Sequence, residues 1–351
     1  AAGKAVVTSE NLIFEEAKTN ITKFRKGKIS LNITGNNGLP VKNAEVKFKP
    51  VSTFYKRGIL AGIYELDPAI FENAFEDGFN YATVGTFWNV AQPEENKYNW
   101  DYLDEVAGNK KIYEMGYELF GHAILYFMDF LIPDYLKSFG FDELSSAVYD
   151  HSKALAEHYE GIISDWLIIN EAHGFSASFG IPREEITELT EKAIAGVEES
   201  IPGLTKVINA APDYFGQNAF VELFIPDHKP FFSMSVVKYF EELMNEDVDF
   251  DIIGQQMYNG GCITLFKDNG LTDETSEIPA MDLVELRRIL KKIQTLGKPL
   301  HITEISVPSA MNSNCPGMNY WRKEWNEEIQ AEFLEMFVTI LLGEENIHSI
   351  C

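Results

Sequence analysis

Cysteine is scarce: Cys262, Cys315 and Cys351 are all there are in 351 residues. They lie far apart with no metal-type spacing, which excludes a disulfide-built scaffold and a cysteine metal cluster. Long apolar runs are missing too. No stretch of roughly 18 apolar residues occurs, so the sequence offers no membrane span. Positive charge is in short supply. Lys and Arg number 29 against 54 Asp and Glu, a formal net charge of −25. Such a chain repels nucleic acid phosphates, and it has no basic stripe interleaved with aromatics. It also lacks a Gly-rich phosphate loop, a nucleophile elbow and a metal-spaced cluster of His, Cys and carboxylates. These absences point away from nucleic acid, metals and cofactors. They leave a neutral or weakly acidic partner. The start, Ala1-Ala2-Gly3-Lys4, does not read as a signal peptide.

What is present suits a large folded core. Apolar residues make up 45% and aromatic residues 13%. The length fits one large α/β domain with a small module, or two domains. The rings suit either core packing or a ring-lined ligand groove. Two N-x-T sequons, at Asn20 and Asn32, acquire meaning only in a glycosylating secretory pathway.

Residues 1–57 differ from the rest. The pattern predicts a short helix over 15–25. Alternating runs at 29–34 and 44–48, joined by Gly35-Asn36-Asn37-Gly38, predict a β-hairpin. From Gly58 onward, strand-like and helix-like runs alternate to the end. The strand-like runs fall at 59–64, 81–87, 118–125, 166–171, 206–210, 250–257, within 298–307 and from 347. Eight such runs with helices between them predict a parallel (β/α)8 barrel at 58–351, preceded by a small N-terminal β module at 1–57. The sequence stops inside the eighth run, so an incomplete C-terminal unit is expected.

Two strands carry carboxylates at their C-terminal ends: Trp166-Leu-Ile-Ile-Asn170-Glu171 and Leu300-His301-Ile302-Thr303-Glu304. That end of a barrel strand is where catalysis occurs. Alternation along the second strand predicts that Glu304 and Ile302 point into the barrel, with His301 and Thr303 towards the helices. Paired carboxyls across one mouth suit glycoside hydrolysis, in which one protonates the leaving oxygen and the other works below the sugar ring. The alternative at each strand end is a capping glutamate.

In Trp166-Leu-Ile-Ile-Asn170-Glu171-Ala172, Ile302-Thr303-Glu304-Ile305-Ser306-Val307, Gly121-His122-Ala-Ile-Leu125 followed by Pro133-Asp-Tyr135-Leu136, and Ile253-Gly254-Gln255-Gln256-Met257-Tyr258, the chain resembles the family 10 glycoside hydrolases, the xylanase family, over about residues 54–351. The resemblance implies a retaining endo-acting enzyme on a β-linked polysaccharide, xylan first. Glu171 is then the acid/base and Glu304 the nucleophile. Asn170, His122 and Gln256 would hold sugar, as would Tyr258, Trp88 and Tyr126. No cofactor or metal is implied. The partner is a polysaccharide or oligosaccharide, and the compartment secreted or periplasmic.

Several positions depart from the family pattern. Asn-Glu-x-x-Lys-Trp is Gly85-Thr86-Phe87-Trp88 here, without the lysine. Trp-His after the third strand is Tyr126-Phe127, the sixth-strand histidine is Tyr258, and an Asp two residues past the nucleophile is Ser306. These changes keep open a hydrolase for another β-glycan, such as a glucan, mannan or galactan, and a carbohydrate-binding protein without turnover. Tyr135, Trp321 and Trp325 are further candidate sugar rings. His173 could tune the acid, although a loop-surface histidine is the simpler expectation. Asp249 and Asp251 are expected as charges flanking the sixth strand.

Overall fold

A computed structural model describes residues 2–47, 55–62, 67–175, 181–212, 234–267, 270–278, 280–313, 315, 318 and 320–351. Eight parallel strands form a closed ring. They are β1 (Lys56–Gly62), β2 (Tyr81–Gly85), β3 (Glu118–His122), β4 (Ile163–Asn170), β5 (Thr205–Ala210), β6 (Ile252–Gln256), β7 (Leu300–Glu304) and β8 (Ile347–Ile350). β8 pairs with both β7 and β1, which closes the barrel. The expected first strand reaches Tyr64, which lies outside the described residues.

Helices alternate with these strands. The first helix of the chain, α1 (Ala2–Phe24), precedes the barrel. Then come α2 (Pro68–Glu76), α3 (Asn109–Glu114), α4 (Phe141–His158), α5 (Arg183–Ser200), α6 (Val236–Asn245), α7 (Leu283–Gln294) and α8 (Glu327–Leu342). Their starts are written in the sequence. Asp67 accepts from the Ala69 amide at 3.0 Å, with Pro68 at the first helical position. Asp282 does the same for Glu285 at 2.9 Å. Along α7, Leu283, Leu286, Leu290 and Ile293 are buried, one face at helical spacing.

The strands separate two apolar regions. Tyr81, Phe120, Leu167, Val207 and Ile252 cluster inside the barrel. Ala82, Leu119, Ile168, Ile208, Ile253 and Ile302 belong to the outer core under the helices. This inverts the facing expected for β7. His301 lies against the inner rings Tyr81 and Phe120, at 5.6 and 4.7 Å between centroids. Ile302 faces outward. The apolar run alone carried no parity, because a parallel strand is buried on both faces.

The N-terminal helix is longer than the expected 15–25 and docks against α7 and α8. Its Glu10 is fully buried. Glu10 Oε1 accepts from the Leu283 amide at 3.0 Å and from Trp321 Nε1 at 2.9 Å; Oε2 accepts from Arg322 Nε at 2.7 Å. Three donors offset the cost of burying that charge. In the predicted hairpin, the Gly35–Gly38 turn forms and one bridge joins Thr34 to Pro40. Residues 44–47 form no strand, and Phe48 lies outside the described residues. A separate antiparallel pair, Cys262–Lys267 with Gly270–Glu277, follows β6 and was not anticipated.

Candidate active site

Both strand-end glutamates sit where regular alternation breaks. Glu171 follows β4 with a φ of 52°. That left-handed region is uncommon for a residue with a side chain and costs on the order of 1 kcal/mol. The Glu171 amide donates to the Asn209 carbonyl at 2.9 Å, tying the turn to β5. On β7, His301 lies opposite Gly254 and Ile302 opposite Gln255, but Glu304 lies opposite Gln256. The register slips past Thr303, and such an irregularity re-aims the next side chain. Both carboxyls thereby reach Gln256 at the end of β6.

Gln256 joins them. Its Nε2 donates to Glu171 Oε1 and, at 3.0 Å, to Glu304 Oε1. The other oxygen of each carboxyl meets a phenol: the Tyr126 hydroxyl donates to Glu171 Oε2 and the Tyr258 hydroxyl to Glu304 Oε2. Beneath them, Thr303 Oγ1 donates to Asn209 Oδ1 and Asn209 Nδ2 to Asn170 Oδ1, both at 2.8 Å. Asn170 in turn bonds Glu171 and Tyr126. Gly254 makes room for this chain, since a Cβ there would fall 2.7 Å from Asn209 Oδ1. Strands β4 to β7 and the loop after β3 thus contribute to one connected polar network.

Electrostatics follow from burial, with no cation acting on either carboxyl among the described residues. Desolvation raises the Glu171 carboxyl above its ordinary value, against the bonds from Tyr126, Gln256 and Asn170. Desolvation also raises Glu304, and the neighbouring Glu171 charge pushes it further, to about 8. Two like charges this close cannot both ionise cheaply, so the proton between them belongs to the pair.

Of the residues nominated from sequence, Asn170, Glu171, Gln256, Tyr258, Tyr126 and Glu304 come together. His122 lies alongside, its ring 5.6 Å from that of Phe87, and burial lowers it to about 4. Trp88 does not join them. It is buried, stacked on His151 at 4.2 Å, and donates to Gln92 Oε1 at 2.9 Å. Trp321 and Trp325 are likewise core rings around Phe333. Tyr135 is half-buried against Phe139 and bonds Trp88. His173 is buried beside Tyr239, not exposed on a loop. Asp249 and Asp251 flank β6 as expected, at 3.3 and 3.6 Å from Lys206 Nζ. Asn209 was missed, although an Asn near the end of an apolar strand was the signal already used for Asn170. Phe87 was passed over as a site residue; its ring is 6.3 Å from that of Tyr126. Among the described residues, no group of three or more His, Cys, Asp or Glu is placed to hold a metal ion. None of their helices is long and apolar enough to cross a membrane.

A closed (β/α)8 barrel with two carboxyls joined at the C-terminal ends of β4 and β7 is the architecture of a barrel glycoside hydrolase. Comparison with known proteins places it more narrowly. The model of glycosyl hydrolase family 10 matches residues 71–351, and the chain belongs to that family. It is 28% identical over 288 residues to endo-1,4-beta-xylanase B of Thermotoga neapolitana, covering 78% of this chain and 68% of that one. It is 20% identical over 274 residues to endo-1,4-beta-xylanase B of Neocallimastix patriciarum, covering 76% of this chain and 28% of the relative. Among solved structures, it resembles xylanase 10B of Thermotoga maritima with a TM-score of 0.57 at 20% identity, over 84% of this chain and 81% of that one. The likeness to xylanase 10B of Thermotoga petrophila also has a TM-score of 0.57, at 19% identity, over 87% and 86%.

Proposed function

We propose that this glycoside hydrolase is an endo-1,4-β-xylanase working by double displacement with retention of configuration. Glu171 protonates the leaving glycosidic oxygen while Glu304 attacks the anomeric carbon. The C–O bond to the leaving sugar breaks as the bond to a Glu304 oxygen forms. Glu171, now ionised, takes a proton from water, and that water displaces Glu304. A glycosidic oxygen beside Glu171 draws the pair's proton to that side and leaves Glu304 ionised beneath the ring.

The observation that carries this reading is the single Gln256 nitrogen bonded to both carboxyls. Their facing oxygens stand no farther apart than two hydrogen bonds end to end, about 6 Å. Retention needs carboxyls separated by about 5–5.5 Å; inversion needs about 6.5 Å or more. Asn170 is the first candidate for the sugar 2-hydroxyl, with His122 beside it. The xylan assignment rests on the family and on the two xylanase relatives. A second reading, another β-glycan, is favoured by Phe87. It stands immediately before Trp88, where the family pattern has lysine, and puts an apolar ring beside His122 and Tyr126.

Release from the cell fits the disulfide at Cys315, since such bonds persist in oxidising compartments. The catalytic unit is the barrel from β1 at Lys56 onward, with α1 as its N-terminal brace. The test is covalent trapping. Incubation with a 2-deoxy-2-fluoro-xylobioside bearing a good leaving group should add one glycosyl mass to the peptide containing Glu304. Label on another residue, or a Glu304→Gln variant that still hydrolyses xylan, refutes the assignment. A panel of xylan, glucan, mannan and galactan separates the two substrate readings.

A further inference from the structure

The network leaves a question of division of labour. Gln256 occupies Oε1 of both carboxyls, and each Oε2 is held by a different tyrosine. Neither phenol follows from the family pattern, which has tryptophan and histidine at these positions. We propose that Tyr126 and Tyr258 are paired positioning residues, each fixing the outer oxygen of one carboxyl while Gln256 fixes the inner oxygen of both. The proposal rests on the roles given above to Glu171 and Glu304.

A phenol suits that task in a way an imidazole does not. It donates one hydrogen bond as a neutral group and keeps its proton through the range in which carboxyls and imidazoles titrate. Burial, then the charge of Glu171, hold the Tyr126 hydroxyl well above its ordinary value. A donor aimed at a carboxylate favours its ionised form. Tyr258 therefore keeps Glu304 available as a nucleophile, and Tyr126 keeps Glu171 from holding its proton too tightly. Because Gln256 ties the two inner oxygens together, the phenols are what make the carboxyls differ independently.

The surrounding titratable groups leave that assignment to the tyrosines. On β3, His122 is held neutral by burial, at about 4. After β4, His173 packs against Tyr239 of α6. Beyond β8, the Cys351 thiol is pushed up to about 12, mainly by burial. From β4, β5 and β6 the facing groups are the neutral amides of Asn170, Asn209 and Gln256. Burial and the neutral donors Tyr126, Gln256 and Asn170 act on Glu171; burial, the charge of Glu171 and the Gln256 donor act on Glu304.

The experiment compares Tyr258→Phe and Tyr126→Phe with the wild type in the pH dependence of kcat/KM on xylan. A parallel carbon-13 titration follows labelled glutamate carboxyls. Losing the Tyr258 donor should raise Glu304, moving the acidic limb up by about one pH unit. Losing the Tyr126 donor should raise Glu171, moving the alkaline limb up by a similar amount. kcat should fall roughly ten- to a hundredfold with KM within about twofold, since the lost contact acts on the reacting groups. Tyr258→His restores a donor and should recover most of kcat while adding an imidazole step to the profile. Limbs that stay fixed while amplitude falls, or a Glu304 carboxyl that titrates unchanged in Tyr258→Phe, overturn the proposal. Failure of the underlying reading looks different: Glu304→Gln would still cleave xylan, while the carboxyl titrations would report on the two clamps regardless.

Discussion

Strand β4 has a buried carboxyl near each end, and the protein treats the two in opposite ways. Asp165, near the start, bonds Lys56 Nζ and accepts from the Tyr81 hydroxyl at 2.6 Å. Burial alone would raise it, but the charge and bond of Lys56 and the bond of Tyr81 win, and Asp165 lies below its ordinary value. Glu171, just past the other end, has the neutral donors Tyr126, Gln256 and Asn170 among the described residues and lies above its ordinary value. The same strand thus anchors a satisfied ion pair at the bottom of the barrel and an unneutralised carboxyl at the mouth. Conservative construction at the N-terminal face and stored charge at the C-terminal face are how this fold divides stability from chemistry.

The sharpest way to break that contrast is to remove the stored charge. Glu304→Gln should lower kcat about 10⁴-fold or more, measured on xylan. It should also make the folded protein more stable at pH 8 than the wild type. The sign follows from linkage. Glu304 is raised to about 8 in the folded state, against about 4.3 in an unfolded chain. Between those values the folded state holds a proton that the unfolded chain releases, so its stability falls as pH rises through that window. Urea melts at pH 5 and pH 8 should show this slope in the wild type and a flatter one in the variant.

At the other end, Lys56→Met strands Asp165 without its cation. Loss of one partner of a buried pair costs about 3–5 kcal/mol, read from the urea midpoint, while kcat of the folded fraction should hardly change. Because Asp165 is depressed, its contribution is present above its unfolded value near 4 and is lost as pH falls through the lower folded value. The variant should therefore lose less stability than the wild type on acidification. Between these extremes stands Asn209→Ala, which cuts the link from Thr303 to Asn170. It should lower kcat roughly tenfold and cost on the order of 1–2 kcal/mol of stability, the one change of the three that lowers both.

The difference between the two ends also explains what the sequence made legible. Alternating strands and helices were readable because parallel strands, buried on both faces, are short apolar runs between amphipathic helices with capped starts. Glu171 and Glu304 were readable because a carboxylate closing such a run is costly unless used or paired. Which way each pointed was not. The left-handed turn at Glu171 and the slipped register before Glu304 are set by neighbouring strands, and the simple alternation at His301 and Ile302 came out inverted. Rings were the least informative. Trp88 stacks on His151 in the core while Tyr126 bonds Glu171, and no local pattern distinguishes a core ring from a site ring. Lys56 and Asp165, more than 100 residues apart, meet only once the barrel has closed.

The most direct test of the paired-carboxyl account is the anomeric configuration of the first product. Proton NMR during the earliest turnovers of xylo-oligosaccharide cleavage reads it before mutarotation. Carboxyls bridged by one amide predict that the β-anomer appears first and the α-anomer grows in only at the spontaneous rate. An α-anomer appearing first would contradict Glu304 as the nucleophile and the account built on it.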